Sequence, residues 1–235
     1  MAMGMIYYGA PRRLITELHN AFKVETFVET GTFRGQTTEW ASGIFSKVYS
    51  VEAQPEIYAQ TTARLSARTN ITIRNTDTRS FLRELVPTLK GPAVFWLDAH
   101  WCGSAETHGS QDECPLTDEL RFIGESPLAH FVFVDDARLF LSPPGAPHNY
   151  EIWPSIRELM SGPLLSDRRY FTVIRDDILM AVPSDHRRWL IEYVRAEDAA
   201  RQSDELFEQG IRTARVGLKQ AFWGARRKLR KLIRT

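Results

Sequence analysis

Carboxylates stand directly after two of the most apolar stretches of this chain. Val94-Phe95-Trp96-Leu97 runs into Asp98-Ala99-His100-Trp101, and Phe131-Val132-Phe133-Val134 runs into Asp135-Asp136. If the two stretches are neighbouring strands, the three acids converge at one edge of a sheet. Carboxylates brought together repel and raise one another's pKa. A hard divalent cation relieves that repulsion, and oxygen-rich sites suit Mg2+, Ca2+ or Mn2+. His100 adds an imidazole whose ordinary pKa near ~6.5 suits a general base at neutral pH. The plainer reading of Asp135-Asp136 is a loop start and helix cap.

The elements that must position these groups alternate along the chain. Strand-like runs of β-branched and aromatic residues occur at Thr26–Glu29, Lys47–Glu52, Ile71–Asn75, Ala93–Asp98 and Phe131–Asp135. Helical patterns separate them at Gln36–Phe45, Glu56–Ala67, Arg79–Leu89 and Leu116–Ile123, after a first helix at Pro11–Phe22. Such alternation implies a parallel sheet with right-handed crossovers and helices on both faces. The last two runs, Tyr170–Ile174 and Ile178–Val182, are separated only by Arg175-Asp176-Asp177. So short a link cannot cross a sheet, so this pair must be an antiparallel hairpin. The expectation is an α/β fold with a seven-stranded, mostly parallel sheet. Ligands of such sheets sit at the carboxyl ends of the strands.

A second group lies at that end. Phe27-Val28-Glu29-Thr30-Gly31-Thr32-Phe33-Arg34-Gly35 joins the first strand to its helix. Gly31 permits a tight turn and close backbone approach to a ligand. The spacing is not the G-x-G-x-x-G of dinucleotide sites, which argues against NAD or FAD, and there is no Gly-Lys-Ser/Thr of an NTPase loop. Glu52 ends the second strand, where an acid can take both ribose hydroxyls. Asp77-Thr78-Arg79-Ser80 follows the third and could meet a base edge.

In this order, over Thr26 to Val182, these features resemble the class I S-adenosylmethionine-dependent methyltransferases. The resemblance implies a Rossmann-like three-layer sandwich. It also implies cofactor contacts from Glu29, Gly31, Thr32, Gly35, Glu52, Asp77 and Asp98. The Asp-x-His-Trp and Asp-Asp pairs resemble the metal-dependent O-methyltransferases of the catechol and sugar types. That likeness implies Asp98, Asp135 and Asp136 as ligands of a divalent cation, Mg2+ by preference, which would orient the substrate oxygens and activate the one attacked. Asp136 stands where the catechol type has Asn. The lysine base of that type is replaced by Trp101, which leaves His100 as the candidate base beside Asp98. The expected reaction is O-methylation of a hydroxyl on a sugar, glycan or phenolic small molecule. A metal-independent methyltransferase and a non-catalytic scaffold acting through its tail are the alternatives.

Two loops could face the acceptor. Ala99–Pro115 contains Trp101 and also Cys102, His108 and Cys114, whose spacing lacks the paired cysteines of structural zinc sites. Leu141–Trp153 is rich in turn residues and offers His148, Asn149, Tyr150 and Trp153, a set suited to a sugar or phenol ring.

Charge divides the chain. Lys and Arg number 30 against 29 Asp and Glu, yet residues 1–210 carry −8 and residues 211–235 carry +9 with no acid. The expected organisation is a domain over 1–183, including the helix at 11–22, and a helical extension over 184–235 with a basic amphipathic tail from Ile211. That tail suits an anionic membrane surface or a protein surface, a homodimer partner included. Nucleic-acid binding is disfavoured, because one basic helix on an acidic domain contains no base-reading module. Two cysteines make no disulfide framework, and the N-terminus lacks the order of a signal peptide. The expected location is therefore the cytoplasm, with the inner membrane surface as the tail's option.

Overall fold

A computed structural model describes residues 9–101 and 113–207. The loop carrying Cys102 and His108 and the basic tail 211–235 lie outside the described residues. The chain divides into two compact units, Met1–Arg187 and Arg188–Thr235.

The first unit is built on a seven-stranded sheet of order β3-β2-β1-β4-β5-β7-β6. Its strands are β1 (Thr26–Thr30), β2 (Lys47–Glu52), β3 (Ile71–Asn75), β4 (Ala93–Leu97), β5 (Phe131–Val134), β6 (Tyr170–Arg175) and β7 (Ile178–Pro183). β1 to β5 pair in parallel; β7 runs antiparallel to both β5 and β6. Every residue of β4, β5 and β7 is buried. Burial on both faces explains their unbroken apolar sequences.

Helices connect the strands: α1 (Arg12–Phe22), α2 (Gln36–Ser42), α3 (Pro55–Leu65), α4 (Thr78–Leu85), α5 (Leu116–Gly124), α6 (Arg138–Leu141) and α7 (Ile156–Ser161). α1 buries Leu14, Ile15 and Leu18, and its end turns through Lys23 in the left-handed conformation. α7, which the turn-rich sequence concealed, starts at a reciprocal capping box of Ser155 and Glu158. Several helices are shorter than their apolar pattern suggests. α4, for example, passes at Val86-Pro87 into a single 3-10 turn, because proline has no N–H to continue the ladder.

Register aligns the site. Thr30 pairs with Leu97, and Leu97 pairs with Val134. The next residues extend the ladder: the Asp98 N–H donates to Thr30 O at 3.1 Å, and the Asp135 N–H to Leu97 O at 3.1 Å. Gly31, Asp98 and Asp135 therefore leave the sheet side by side.

In the second unit, residues 188–207 are helical. Arg188 pairs with Glu192 one turn on at 2.7 Å, and Trp189 stacks on Tyr193 with ring centroids 5.7 Å apart. No helix among the described residues is long and apolar enough to cross a membrane.

Candidate active site

The turn after β1 is folded back on β2. The N–H groups of Gly31 and Thr32 both donate to Val51 O, at 3.2 and 3.0 Å. Gly31 has φ +85°, and a Cβ there would lie 2.5 Å from the carbonyl oxygen of Asp98. The residue must be glycine on both counts. Gly35, at φ +69°, turns the chain into α2, and a Cβ there would lie 2.6 Å from Thr61 Cγ2. Between them the Phe33 N–H donates to Glu52 Oε2 at 2.8 Å, while the Gln54 N–H donates to Glu52 Oε1 at 2.9 Å. Each Glu52 oxygen thus accepts one backbone bond, and a carboxylate has about four acceptor positions. Capacity remains for two hydroxyls, as a ribose needs.

Two expected cofactor contacts have partners within the protein. Glu29 points into the protein and is 2% exposed. Its Oε2 accepts from the Ser50 hydroxyl at 2.8 Å and from the Thr38 hydroxyl, and the Thr32 hydroxyl bonds Ser50 Oγ at 2.6 Å. Glu29 therefore braces the glycine turn from beneath. Asp77 caps α4, its Oδ1 accepting from the Ser80 N–H at 2.9 Å. Burial works against its charge, but the Ser80 hydrogen bonds outweigh it and hold the carboxyl below its ordinary range.

Glu119, on α5, was not among the expected site residues. It is 1% exposed, beside the hydroxyls of Thr78 and Thr30. Burial pushes both Glu29 and Glu119 up to about 7. Unfolded, each titrates near ~4.3, so between these values the folded chain binds more protons and its stability falls as pH rises. Urea unfolding at pH 6 and pH 8 should show a loss of roughly 1–3 kcal/mol at the higher pH. Glu29→Gln should flatten that slope; an unaltered slope would assign the loss to other groups.

At the ends of β4 and β5 the acids meet, but not as three equivalent carboxylates. Asp136 has φ +53° and accepts from its cationic neighbours. His100 Nε2 lies 3.0 Å from Asp136 Oδ2, and Arg138 Nη1 lies 2.5 Å from Asp136 Oδ1. Arg138 also pairs with Asp177 in the β6–β7 turn. The N–H groups of Ala137 and Arg138 donate to Asp177 as well, at 2.8 Å each. Asp135 Oδ1 accepts the N–H of Asp136 at 2.8 Å.

His100 is buried, with its ring edge-on to Trp153 at 5.7 Å and to Phe140 at 6.1 Å. Burial opposes its charge, yet the Asp136 hydrogen bond and the charges of Asp98, Asp136 and Asp135 raise its pKa. Its Nε2 is engaged by Asp136, so action as a base would require that bond to break. Asp98 and Asp136 are partly exposed, whereas Asp135 is buried. Burial, then the charges of Asp135, Asp136 and Glu29, push Asp98 well above the usual carboxylate range, with His100 acting the other way. Burial and Asp136 raise Asp135 to about 6.

Beside these groups stands an aromatic wall. Trp101 meets His148 edge-on at 5.0 Å, and His148 meets Trp153 at 5.1 Å. Trp101 and Trp153 are buried, whereas Tyr150 is 61% exposed. Among the expected substrate residues Tyr150 is exposed, whereas Trp101 is buried and the His148 side chain is 11% exposed. Glu113, missed at the sequence level, ties the wall together through Trp153, Asn149 and His148. Burial disfavours its charge, but these bonds hold it below the ordinary carboxylate range. Cys114 is buried at the start of α5.

No family model and no curated protein matches this chain in sequence. Solved structures do match in shape. The O-methyltransferase TomG of Streptomyces achromogenes, involved in tomaymycin synthesis and solved with S-adenosylmethionine, superposes with a TM-score of 0.54 at 13% identity, covering 76% of this chain and 82% of that one. An O-methyltransferase of Bacillus cereus, solved with S-adenosylhomocysteine, gives 0.52 at 14% identity over 74% and 82%. The chain has the class I methyltransferase fold. That fold does not choose the acceptor. A candidate rRNA methylase of Clostridium thermocellum matches with a TM-score of 0.51 at 12% identity, over 76% of this chain and 99% of its own.

Proposed function

We propose that this chain is an S-adenosylmethionine-dependent O-methyltransferase acting on a hydroxyl of a small molecule, with a sugar, glycan or phenol as the acceptor class. One observation carries the reading: the Gly31 turn is pressed against the Asp98 carbonyl, beside Glu52 with acceptor capacity to spare and Asp98 with raised proton affinity. Those features fit the cofactor. Gly31 and Gly35 leave room for close approach, Glu52 would hold the ribose hydroxyls, and Glu29 braces the turn. The sulfonium supplies an activated methyl group when bound. Asp98 then accepts the proton of the attacking hydroxyl, a task favoured by a basic carboxylate. Arg138 places positive charge beside the acids, and His100 bonds Asp136.

The described residues do not fit a three-carboxylate cation site. Asp136 already faces a cationic or imidazole partner on each oxygen, Arg138 on Oδ1 and His100 on Oδ2. Among the described residues no group of three or more His, Cys, Asp or Glu side chains could hold a metal ion. Cations of the protein itself compensate the acids, and this favours metal-independent transfer. Titration calorimetry of the full chain should show saturable binding of S-adenosylmethionine, with a dissociation constant on the order of 1 µM–1 mM. Absence of binding would sink the proposal. Methyl transfer should persist in EDTA; complete loss that Mg2+ restores would return the acids to a metal.

A further inference from the structure

Glu113 joins segments 35 to 40 residues apart. Its Oε2 accepts from Trp153 Nε1 at 2.8 Å and lies 3.2 Å from His148 Nδ1, and its Oε1 accepts the Asn149 N–H at 3.1 Å. Its own carbonyl accepts the Trp101 N–H at 2.7 Å, which fixes it to the end of β4. The Glu113 and His148 side chains are each 11% exposed, so this tie is partly buried. Buried acceptors with charge make the stronger hydrogen bonds.

The placement of these bonds is informative. Asn149 and Trp153 bracket a single 3-10 turn, Tyr150–Ile152, whose Tyr150 and Ile152 side chains are 61% and 44% exposed. Exposed apolar side chains on a turn pinned at both ends form a ready-made contact face. Trp153, the far anchor, touches His100, which reaches Asp136. One carboxylate thus sets the distance between that face and the acids.

We propose that Glu113 is a positioning residue for the acceptor: it pins the 148–153 segment, whose Trp153 packs on His100, so that the exposed Tyr150 and Ile152 receive the flat apolar face of a ring-bearing alcohol. This rests on the methyltransferase reading above and names the surface that receives its acceptor. Neither the wall nor its anchor requires a metal.

Hydrogen exchange on the full chain tests it, with S-adenosylhomocysteine present and with catechol and methyl glucoside as probe acceptors. Peptides over 145–153 should exchange slowly in the wild type and at least ~10-fold faster in Glu113→Ala, with β1 to β5 unchanged. Glu113→Gln, which can still accept one bond, should fall between. One of the probes should slow exchange over 145–153 in the wild type, and Glu113→Ala should need at least ~10-fold more of it, a loss of about 1.4 kcal/mol. Equal exchange in wild type and Glu113→Ala overturns the tie. Failure of both probes to alter 145–153 overturns the contact face. Failure of the cofactor reading shows elsewhere, as no change around Gly31–Gly35 on adding S-adenosylhomocysteine.

Discussion

Asp98→Asn lowers kcat by ~10²–10⁴-fold, the usual worth of a positioned general base. The amide is nearly isosteric with the carboxyl, so the Asp98 N–H bond to Thr30 O and the contact of its carbonyl with Gly31 survive. Affinity for S-adenosylmethionine should accordingly change little by calorimetry. The pH profile supplies a second readout. Burial and neighbouring acids set the Asp98 pKa well above its ordinary value. A base must be ionised to work, so wild-type kcat falls as pH drops through that raised pKa, and residual activity of the variant lacks that limb. His100→Gln distinguishes the two groups. It removes the cation that favours ionised Asp98, so the wild-type limb should move to higher pH. An Asn variant that keeps more than about a third of wild-type kcat would remove Asp98 as base.

Gly31→Ala carries the second large effect, on binding. Its Cβ would press to 2.5 Å on a backbone oxygen, which cannot swing aside as a side chain can. The left-handed φ adds roughly 1–3 kcal/mol of strain for a residue with a Cβ. The turn must therefore move, and with it the Thr32 and Phe33 N–H groups that hold it to Val51 and Glu52. We expect a stability loss of about 2–4 kcal/mol and cofactor affinity at least ~30-fold weaker. Gly91→Ala is the control, since a Cβ there meets nothing within 4 Å and it should be silent in both measurements. Unfolding midpoints and calorimetry on the same preparations separate the effects. Wild-type affinity in Gly31→Ala would remove this turn from the cofactor site.

The strands were legible because burial on both faces leaves its mark as unbroken apolar runs, and β4 and β5 are the clearest cases. The reversed β7 followed from the three residues between the last two runs. α6 and α7 were hidden because four- and six-residue helices carry too little periodicity to read. In the site, type and order placed Gly31, Glu52, Asp98, Asp135 and Asp136 at the strand ends. Sequence could not say which way a side chain points: Glu29 points inward and braces a turn, and Asp77 caps a helix. Glu119 did leave a signal. Leu116, Glu119, Leu120 and Ile123 share one face of α5 at i, i+3, i+4 and i+7, and an acid on an apolar stripe is a buried acid. Glu113 left none, because its partners come from a loop whose path no local pattern fixes. For His100 the ordinary pKa says nothing of Asp98, Asp135 and Asp136, whose charges raise its proton affinity.

The bond from Arg138 to Asp177 has a consequence for synthesis on the ribosome. Chains emerge from the N-terminus, and domains generally fold as units as they do so. The glycine turn, Glu52 and Asp98 are all made within the first 98 residues. Arg138 and Asp136, however, are tethered to the sheet through a turn made some 40 residues later. A nascent chain halted before Asp177 would lack the acceptor that holds Arg138 and the N–H groups of Ala137 and Arg138. Completion of the last hairpin is thus the event that ties the segment after β5 to the sheet.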